Sequence, residues 1–251
     1  MKHRLRTLGI AMGVFFVLGL GTLGPVLRDM PRPQASRIAL EAGAVGVTAG
    51  DSFAWLIPSD TGVVLIDSGM SADALLTELQ ARGLGPADVR GILLTHAHLD
   101  HVGGLASFPE ATVYVGAADA DLLRGERYSV GALPGLLESI VSRKAPGNPV
   151  VEVSDGVTLK IDGLTFEAIH TPGHTAGSTV YRWGEVLFTG DSLAPRGAGV
   201  GPLPALFADD IDENIRSLGK LADIPFRHIA DGHVGTSLDA QEKLRTYLGD
   251  P

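Results

Sequence analysis

Short apolar runs closed by Gly, Pro or Asp alternate with stretches of mixed polarity along most of this chain. The runs are rich in Val, Ile, Leu, Phe and Thr, residues that suit a pleated, half-buried surface. They predict strands over 63–66, 92–95, 112–115, 151–153, 158–161, 165–169, 179–182, 186–189 and 227–230. Helices are expected over 72–82, 117–123, 136–143, 211–222 and 239–248. In the first of these Leu75, Leu76 and Leu79 recur at i, i+1 and i+4, one face of an amphipathic helix. Strands and helices are mixed throughout, so periodicity alone gives α/β or α+β. No internal repeat at a fixed period is visible.

The N-terminal part has a different pattern. Lys2, Arg4 and Arg6 precede residues 8–27, a run of twenty residues without a charge. As a helix it would rise about 30 Å, enough to cross a bilayer core. The basic flank places the N-terminus in the cytoplasm and the rest outside. The expectation is therefore a domain exported and anchored in an inner membrane through residues 8–27. If the run is instead a signal peptide cleaved near Gly19-Leu20-Gly21, the product is periplasmic or secreted. The run from Arg28 to Arg37, with Pro31 and Pro33, reads as a linker. Residues 38–251 then form one domain with a sizeable core.

Separating these parts sharpens the charge argument. The chain has 20 Lys and Arg against 29 Asp and Glu, but six of the basic residues lie in residues 1–37 beside a single acid, Asp29. The remaining domain carries 14 basic and 28 acidic side chains, a formal charge of about −14. Such an excess disfavours nucleic acid as a partner. The absence of cysteine leaves any metal a shell of nitrogen and oxygen.

Candidate chemistry concentrates in Thr95-His96-Ala97-His98-Leu99-Asp100-His101, which follows the apolar run 91–94. In an extended segment leaving a strand, His96 and His98 project to the same side, and Asp100 and His101 follow where the chain turns. One loop can then serve two adjacent metals. Three further candidates each end an apolar run. His174 lies in a Pro-Gly turn after 164–169, Asp191 follows 186–190, and His233 follows 227–232. His170 and His228 read as satisfied polar groups in or near the core, and His3 as part of the basic N-terminus.

The order His96-x-His98-x-Asp100-His101, His174, Asp191, His233 resembles the metallo-β-lactamase superfamily over about residues 38–251. The resemblance implies an α+β fold, an αββα sandwich preceded here by one N-terminal hydrophobic helix, with the metal site along one edge of the sheets. It implies two Zn2+, with iron or manganese as alternatives. His96, His98 and His174 would hold one metal, and Asp100, His101 and His233 the other. Asp191 would bridge them, and Asp67 at the end of Leu65-Ile66-Asp67 would orient a ligand histidine. The implied chemistry is attack by a metal-bridging hydroxide on the carbonyl of a small thioester, ester or lactone, with Asp100 and Asp191 as the catalytic carboxylates and Asp100 as proton shuttle.

Within the superfamily, 171–178 and 188–192 look like the glyoxalase II-type branch. That branch carries a helical glutathione-binding domain after its last metal histidine, whereas eighteen residues follow His233 here. Acyl-homoserine lactonases have a tyrosine three residues after the bridging aspartate, where this chain has Ala194. β-Lactamases of the third metallo-subclass use serines near Asp191 for the drug carboxylate, and Ser192 matches while Ala194 does not. A mononuclear iron persulfide dioxygenase and a non-enzymatic, membrane-tethered metal-binding protein complete the alternatives, the last disfavoured by the full ligand set. Residues 125–149 and 194–204 are expected to rim the pocket. Tyr128, Arg143, Lys144 and Arg196 read as solvated surface.

Overall fold

The computed structural model describes residues 33–141 and 145–249. Among these residues, the first sheet runs in the order β1 (Arg37–Ala39), β2 (Val45–Thr48), β3 (Phe53–Pro58), β4 (Val63–Ile66), β5 (Val89–Leu94), β6 (Thr112–Gly116) and β7 (Val150–Val153). It is antiparallel as far as β4 and parallel from β4 to β7. The second sheet is built from β8 (Thr158–Ile161), β9 (Leu164–His170), β10 (Thr179–Trp183) and β11 (Val186–Gly190). After a separate hairpin of β12 (Ala194–Arg196) and β13 (Gly199–Gly201), β14 (His228–Asp231) pairs parallel with β11, and β15 (Thr236–Ser237) closes that edge. The helices are α1 (Asp73–Ala81), α2 (Leu99–Val102), α3 (Ala120–Arg124), α4 (Ala132–Ile140), α5 (Ile211–Ala222) and α6 (Ala240–Leu248).

Strand alternation explains the layering. In β3, Phe53, Trp55 and Ile57 pack with Val64, Ile66 and Leu93 against Phe166, Tyr181 and Phe188 of the second sheet, so these faces form the centre of the sandwich. The intervening Leu56, Leu65, Ile92 and Leu94 point the other way and bury Leu75 and Leu79 of α1 with Leu122 and Leu123 of α3. On the second sheet Val180, Leu187 and Ile229 likewise bury Leu218 and Leu221 of α5 and Leu244 of α6. Covered on both faces, the central strands need apolar residues at every position, which is why β4 reads Val-Val-Leu-Ile, all buried. The result is an αββα sandwich, the α+β architecture implied by the motif order.

Local differences from expectation have physical causes. The helix expected over 136–143 is α4, Ala132–Ile140, because Pro134 and Gly135, residues that break a helix interior, lie in its first turns. There a proline's missing N–H has no helical acceptor to lose. The helix expected over 117–123 is a 3-10 turn, Ala117–Asp119, running into α3, which ends at Gly125 in the left-handed region at φ 74°. Strands β1, β2 and β3 were not expected, although β3 is an apolar run. His170 bonds the Ala176 carbonyl at 2.9 Å, but the buried Nδ1 of His228 has no partner among the described residues, contrary to its reading as a satisfied group. The apolar run 8–27, with its anchor or signal reading, the first part of the 28–37 linker, and Arg143 and Lys144 lie outside the described residues. Among the described residues no helix is long and apolar enough to cross a membrane.

Phe188 is fully buried between the two sheets. Its truncation, Phe188→Ala, is expected to lower unfolding stability by about 3–5 kcal/mol in a urea titration. A loss under about 1 kcal/mol would contradict the assignment of this layer as the central core.

Candidate metal centre

Strands β5, β9, β11 and β14 deliver their C-terminal ends to one edge of the sandwich, tied across the sheets by Thr179 N donating to Thr95 O at 2.8 Å and Tyr181 OH to Leu94 O at 3.1 Å. His96 leaves the end of β5, and His98 caps α2, a single turn that presents Asp100 and His101. His174 sits in the β9–β10 loop, Asp191 follows β11, and His233 follows β14. Gly190 makes the bend before Asp191 in the left-handed region at φ 49°, where a Cβ would also run into Thr95. Gly232 leaves room for Asp191 and His101, since a Cβ there would strike both.

All seven side chains singled out in the sequence come together. His174 Nε2 lies 3.2 Å from His96 Nε2 and 3.0 Å from His98 Nδ1. Asp100 Oδ2 lies 3.5 Å from His101 Nε2 and 3.3 Å from His233 Nε2. Asp191 stands between the two trios: Oδ2 is 3.3 Å from His174 Nε2 and 3.1 Å from His233 Nε2, and Oδ1 is 3.3 Å from His101 Nε2. In each of the trios His96/His98/His174, His96/His101/Asp191 and Asp100/His101/His233 the candidate ligand atoms lie within 4.8 Å of one another. His101 Nε2 and Asp191 Oδ1 are buried, face each other and form no hydrogen bond, as expected of atoms directed at a cation. The donor set, five imidazoles and two carboxylates without sulfur, suits zinc, iron or manganese.

The opposite ring nitrogens are held from behind in every imidazole but His174, whose buried Nδ1 has no partner among the described residues. Asp67 Oδ2 lies 2.8 Å from His101 Nδ1 and accepts the Thr95 hydroxyl at 2.7 Å, while Oδ1 accepts Thr95 N at 2.8 Å. With its proton committed to Asp67, the Thr95 oxygen faces His96 Nδ1 at 3.1 Å as an acceptor. One carboxylate therefore directs Nε2 of both His101 and His96 at the centre, a tautomer assignment inferred from these bonds. His233 Nδ1 meets the Asp51 carbonyl at 2.8 Å. Asp67 adopts a left-handed φ of 60°, which Asp tolerates better than most side chains.

Two positioning groups escaped the sequence reading. Buried Asp119 accepts Ala97 N at 2.9 Å and the Thr175 hydroxyl at 2.7 Å through Oδ2, and Gly177 N at 2.8 Å through Oδ1. It thus clamps the loop of His96 and His98 to the loop of His174. Ser129, backed by Asp209, contacts His98 at 3.3 Å. Segment 125–149 therefore reaches the cluster at Ser129, while the neighbouring Tyr128 is exposed.

Electrostatics separate the two trios. Burial drives the pKa of His96, His98 and His174 down, keeping them in the neutral form that ligates metal. Burial opposes protonation of His101 and His233 as well, but for His101 the carboxylates Asp100, Asp191 and Asp67 outweigh it, as Asp191 and Asp100 do for His233, so both are raised well above the usual histidine value. For Asp100 and Asp191 burial opposes ionisation, yet the facing imidazoles hold both below the usual carboxylate range.

An αββα sandwich with a His/Asp cluster at its edge defines the class: a metallohydrolase-type fold. The family profile described as "Metallo-beta-lactamase superfamily" matches residues 47–233, and the chain belongs to that superfamily. It is 30% identical over 179 residues to a hydroxyacylglutathione hydrolase of Photorhabdus laumondii, covering 70% of this chain and 58% of that protein. It is 31% identical over 180 residues, with the same two coverages, to the hydroxyacylglutathione hydrolase of Salmonella newport. The chain thus spans less than two thirds of the length of these relatives. Among solved structures, TTHA1623 in a di-iron-bound form is 31% identical with a TM-score of 0.61, over 80% of this chain and 96% of that one. The BLEG-1 B3 metallo-beta-lactamase is 27% identical with a TM-score of 0.62, over 79% and 95%. MEM-A1, a subclass B3 metallo-beta-lactamase from a soil metagenome library, shares the fold at 22% identity with a TM-score of 0.66, over 87% and 94%.

Asp67→Asn keeps a residue that tolerates the left-handed backbone but replaces one acceptor oxygen with a donor. Metal affinity, measured by competition with a chromophoric chelator, is expected to fall about 10–100-fold. Unchanged affinity would contradict the orienting role.

Proposed function

We propose that this chain is a binuclear metal-dependent hydrolase that cleaves a small thioester or ester, closest in chemistry to hydroxyacylglutathione hydrolysis. The observation that carries this reading is the arrangement of seven side chains as two trios joined by both oxygens of Asp191. In such a centre His96, His98 and His174 would hold one cation, Asp100, His101 and His233 the other, with Asp191 between them. Bound metals supply Lewis acidity and activate water near neutral pH, so no serine or cysteine nucleophile is required. The protein's part is to hold the histidines in their ligating tautomers and to manage the proton. Asp100 is suited to the last task, since its side chain is 24% exposed against 5% for Asp191 and can exchange a proton with a substrate's leaving atom.

The approximately 30% identity to hydroxyacylglutathione hydrolases supports the thioester reading. A β-lactamase reading is supported by the likeness to BLEG-1, but Ser192 weakens it. That serine is 2% exposed, its hydroxyl lies 3.1 Å from the Thr171 hydroxyl, and its carbonyl accepts Asn214 Nδ2 at 3.2 Å. It is turned inward rather than toward a drug carboxylate. Ala194 is fully buried and supplies no hydroxyl for a lactone. Zinc is the proposed metal, with iron as the alternative raised by the di-iron relative. The basic-flanked apolar run 8–27 supports a domain exported and held at a membrane.

The metal-loaded protein should hydrolyse S-lactoylglutathione and leave nitrocefin and an acyl-homoserine lactone untouched under the same conditions. His98→Ala or chelation should abolish that turnover, with chelated protein recovering on addition of metal. Turnover of nitrocefin or the lactone alone would overturn the thioester assignment, and full activity of His98→Ala would overturn the metal assignment.

A further inference from the structure

His98 is the exception among the clustered imidazoles. His96, His101, His174 and His233 turn Nε2 toward the cluster, whereas His98 turns Nδ1, which lies 3.0 Å from His174 Nε2. Its tautomer must therefore be the opposite one, with the proton on Nε2. Asp67, which serves His101 and, through Thr95, His96, makes no bond to it.

The group behind His98 is Ser129, whose Oγ lies 3.3 Å from His98 Nε2 and 2.5 Å from Asp209 Oδ1. A hydroxyl between an imidazole and a carboxylate could donate either way, and its surroundings decide. Asp209 Oδ1 also accepts Val130 N at 3.0 Å and Gly131 N at 2.7 Å, so it is an acceptor and the serine proton points to it. The Ser129 oxygen then accepts Gly131 N at 3.3 Å and has one further lone pair, which faces His98 Nε2. Only an Nε2–H imidazole satisfies that contact, and this form leaves the Nδ1 lone pair free toward the cluster. The main chain supports the same arrangement from two sides. Asp209 N donates to the His174 carbonyl at 3.0 Å, and Ser129 N donates to the buried carboxylate of Glu138 at 2.8 Å. Asp209 thus reaches His98 through its side chain and His174 through its backbone.

We propose that Ser129 and Asp209 are a positioning pair that fixes His98 as its Nε2–H tautomer and so sets the affinity of the three-histidine site independently of the second site. This rests on the metal-centre reading given above. Neither residue is one of the seven clustered side chains, and neither belongs to a recognisable motif: Ser129 follows an exposed Tyr128, and Asp209 precedes the cap of α5, some eighty positions further on.

The test uses the full chain, wild type, Ser129→Ala and, as the variant that restores the hydroxyl, Ser129→Thr. In metal-free, 15N-histidine-labelled protein, long-range 1H–15N spectra should show His98 as the Nε2–H form in wild type and Ser129→Thr, and as a mixture in Ser129→Ala. In cobalt titrations followed by absorbance, wild type should take up two ions. Ser129→Ala should lose about 10–100-fold affinity at one site only, with Ser129→Thr near wild type. Ser129→Ala that keeps the Nε2–H form and both affinities would overturn the proposal while leaving the metal centre intact. Equal weakening of both sites, or no recovery in Ser129→Thr, would reduce Ser129 to a packing role and overturn it too. Wild type that takes up no cobalt would overturn the metal reading and this assignment with it.

Discussion

One carboxylate, Asp67, sets the terms for much of the centre. Buried at the end of β4 in a left-handed conformation, it takes the Nδ1 side of His101 and, through Thr95, the Nδ1 side of His96. An imidazole has two nitrogens and, when neutral, one proton, so where that proton is anchored decides which lone pair remains for a cation. Anchoring it on the strand-end side turns both Nε2 atoms to the edge of the sandwich. The parallel pairing of β4 with β5 holds Asp67 beside the start of the histidine loop, and Asp67 N donates to Leu93 O at 2.9 Å. The fold supplies rigidity, and the carboxylate converts it into direction.

Around this anchor two further imidazoles are oriented by different devices. His233 uses the backbone carbonyl of Asp51, and His98 uses a serine held by a carboxylate. Asp119 works one level further out, binding the loop of His96 and His98 to the loop of His174 through three hydrogen bonds. Such partners matter because burying so many polar groups at a sheet edge is costly unless each is bonded or directed at an ion. The two buried atoms without partners that face each other, His101 Nε2 and Asp191 Oδ1, point into the space between the trios.

Legibility in the sequence followed locality. His96, His98, Asp100 and His101 were visible because the chemistry is compressed into one turn after an apolar strand, and His174, Asp191 and His233 because each ends an apolar run. Asp67 was visible only through family resemblance, since a strand-end aspartate is common. Ser129, Asp209 and Asp119 carried no local signal: each is an ordinary polar residue whose partner lies 22 to 80 positions away. Most central strands were legible from continuous apolar runs, though β3, which gives Phe53, Trp55 and Ile57 to the centre, was not expected; α4 was displaced because Pro134 and Gly135 are breakers in a helix interior but tolerated in its opening turns.

The account stands on two cations sharing seven side chains. Anomalous diffraction from crystals of the metal-loaded protein tests this most directly. It should give two peaks about 3.5–4 Å apart, one among His96, His98 and His174, the other among Asp100, His101 and His233, with Asp191 touching both. A single peak at one trio, or none at either, would contradict the binuclear centre.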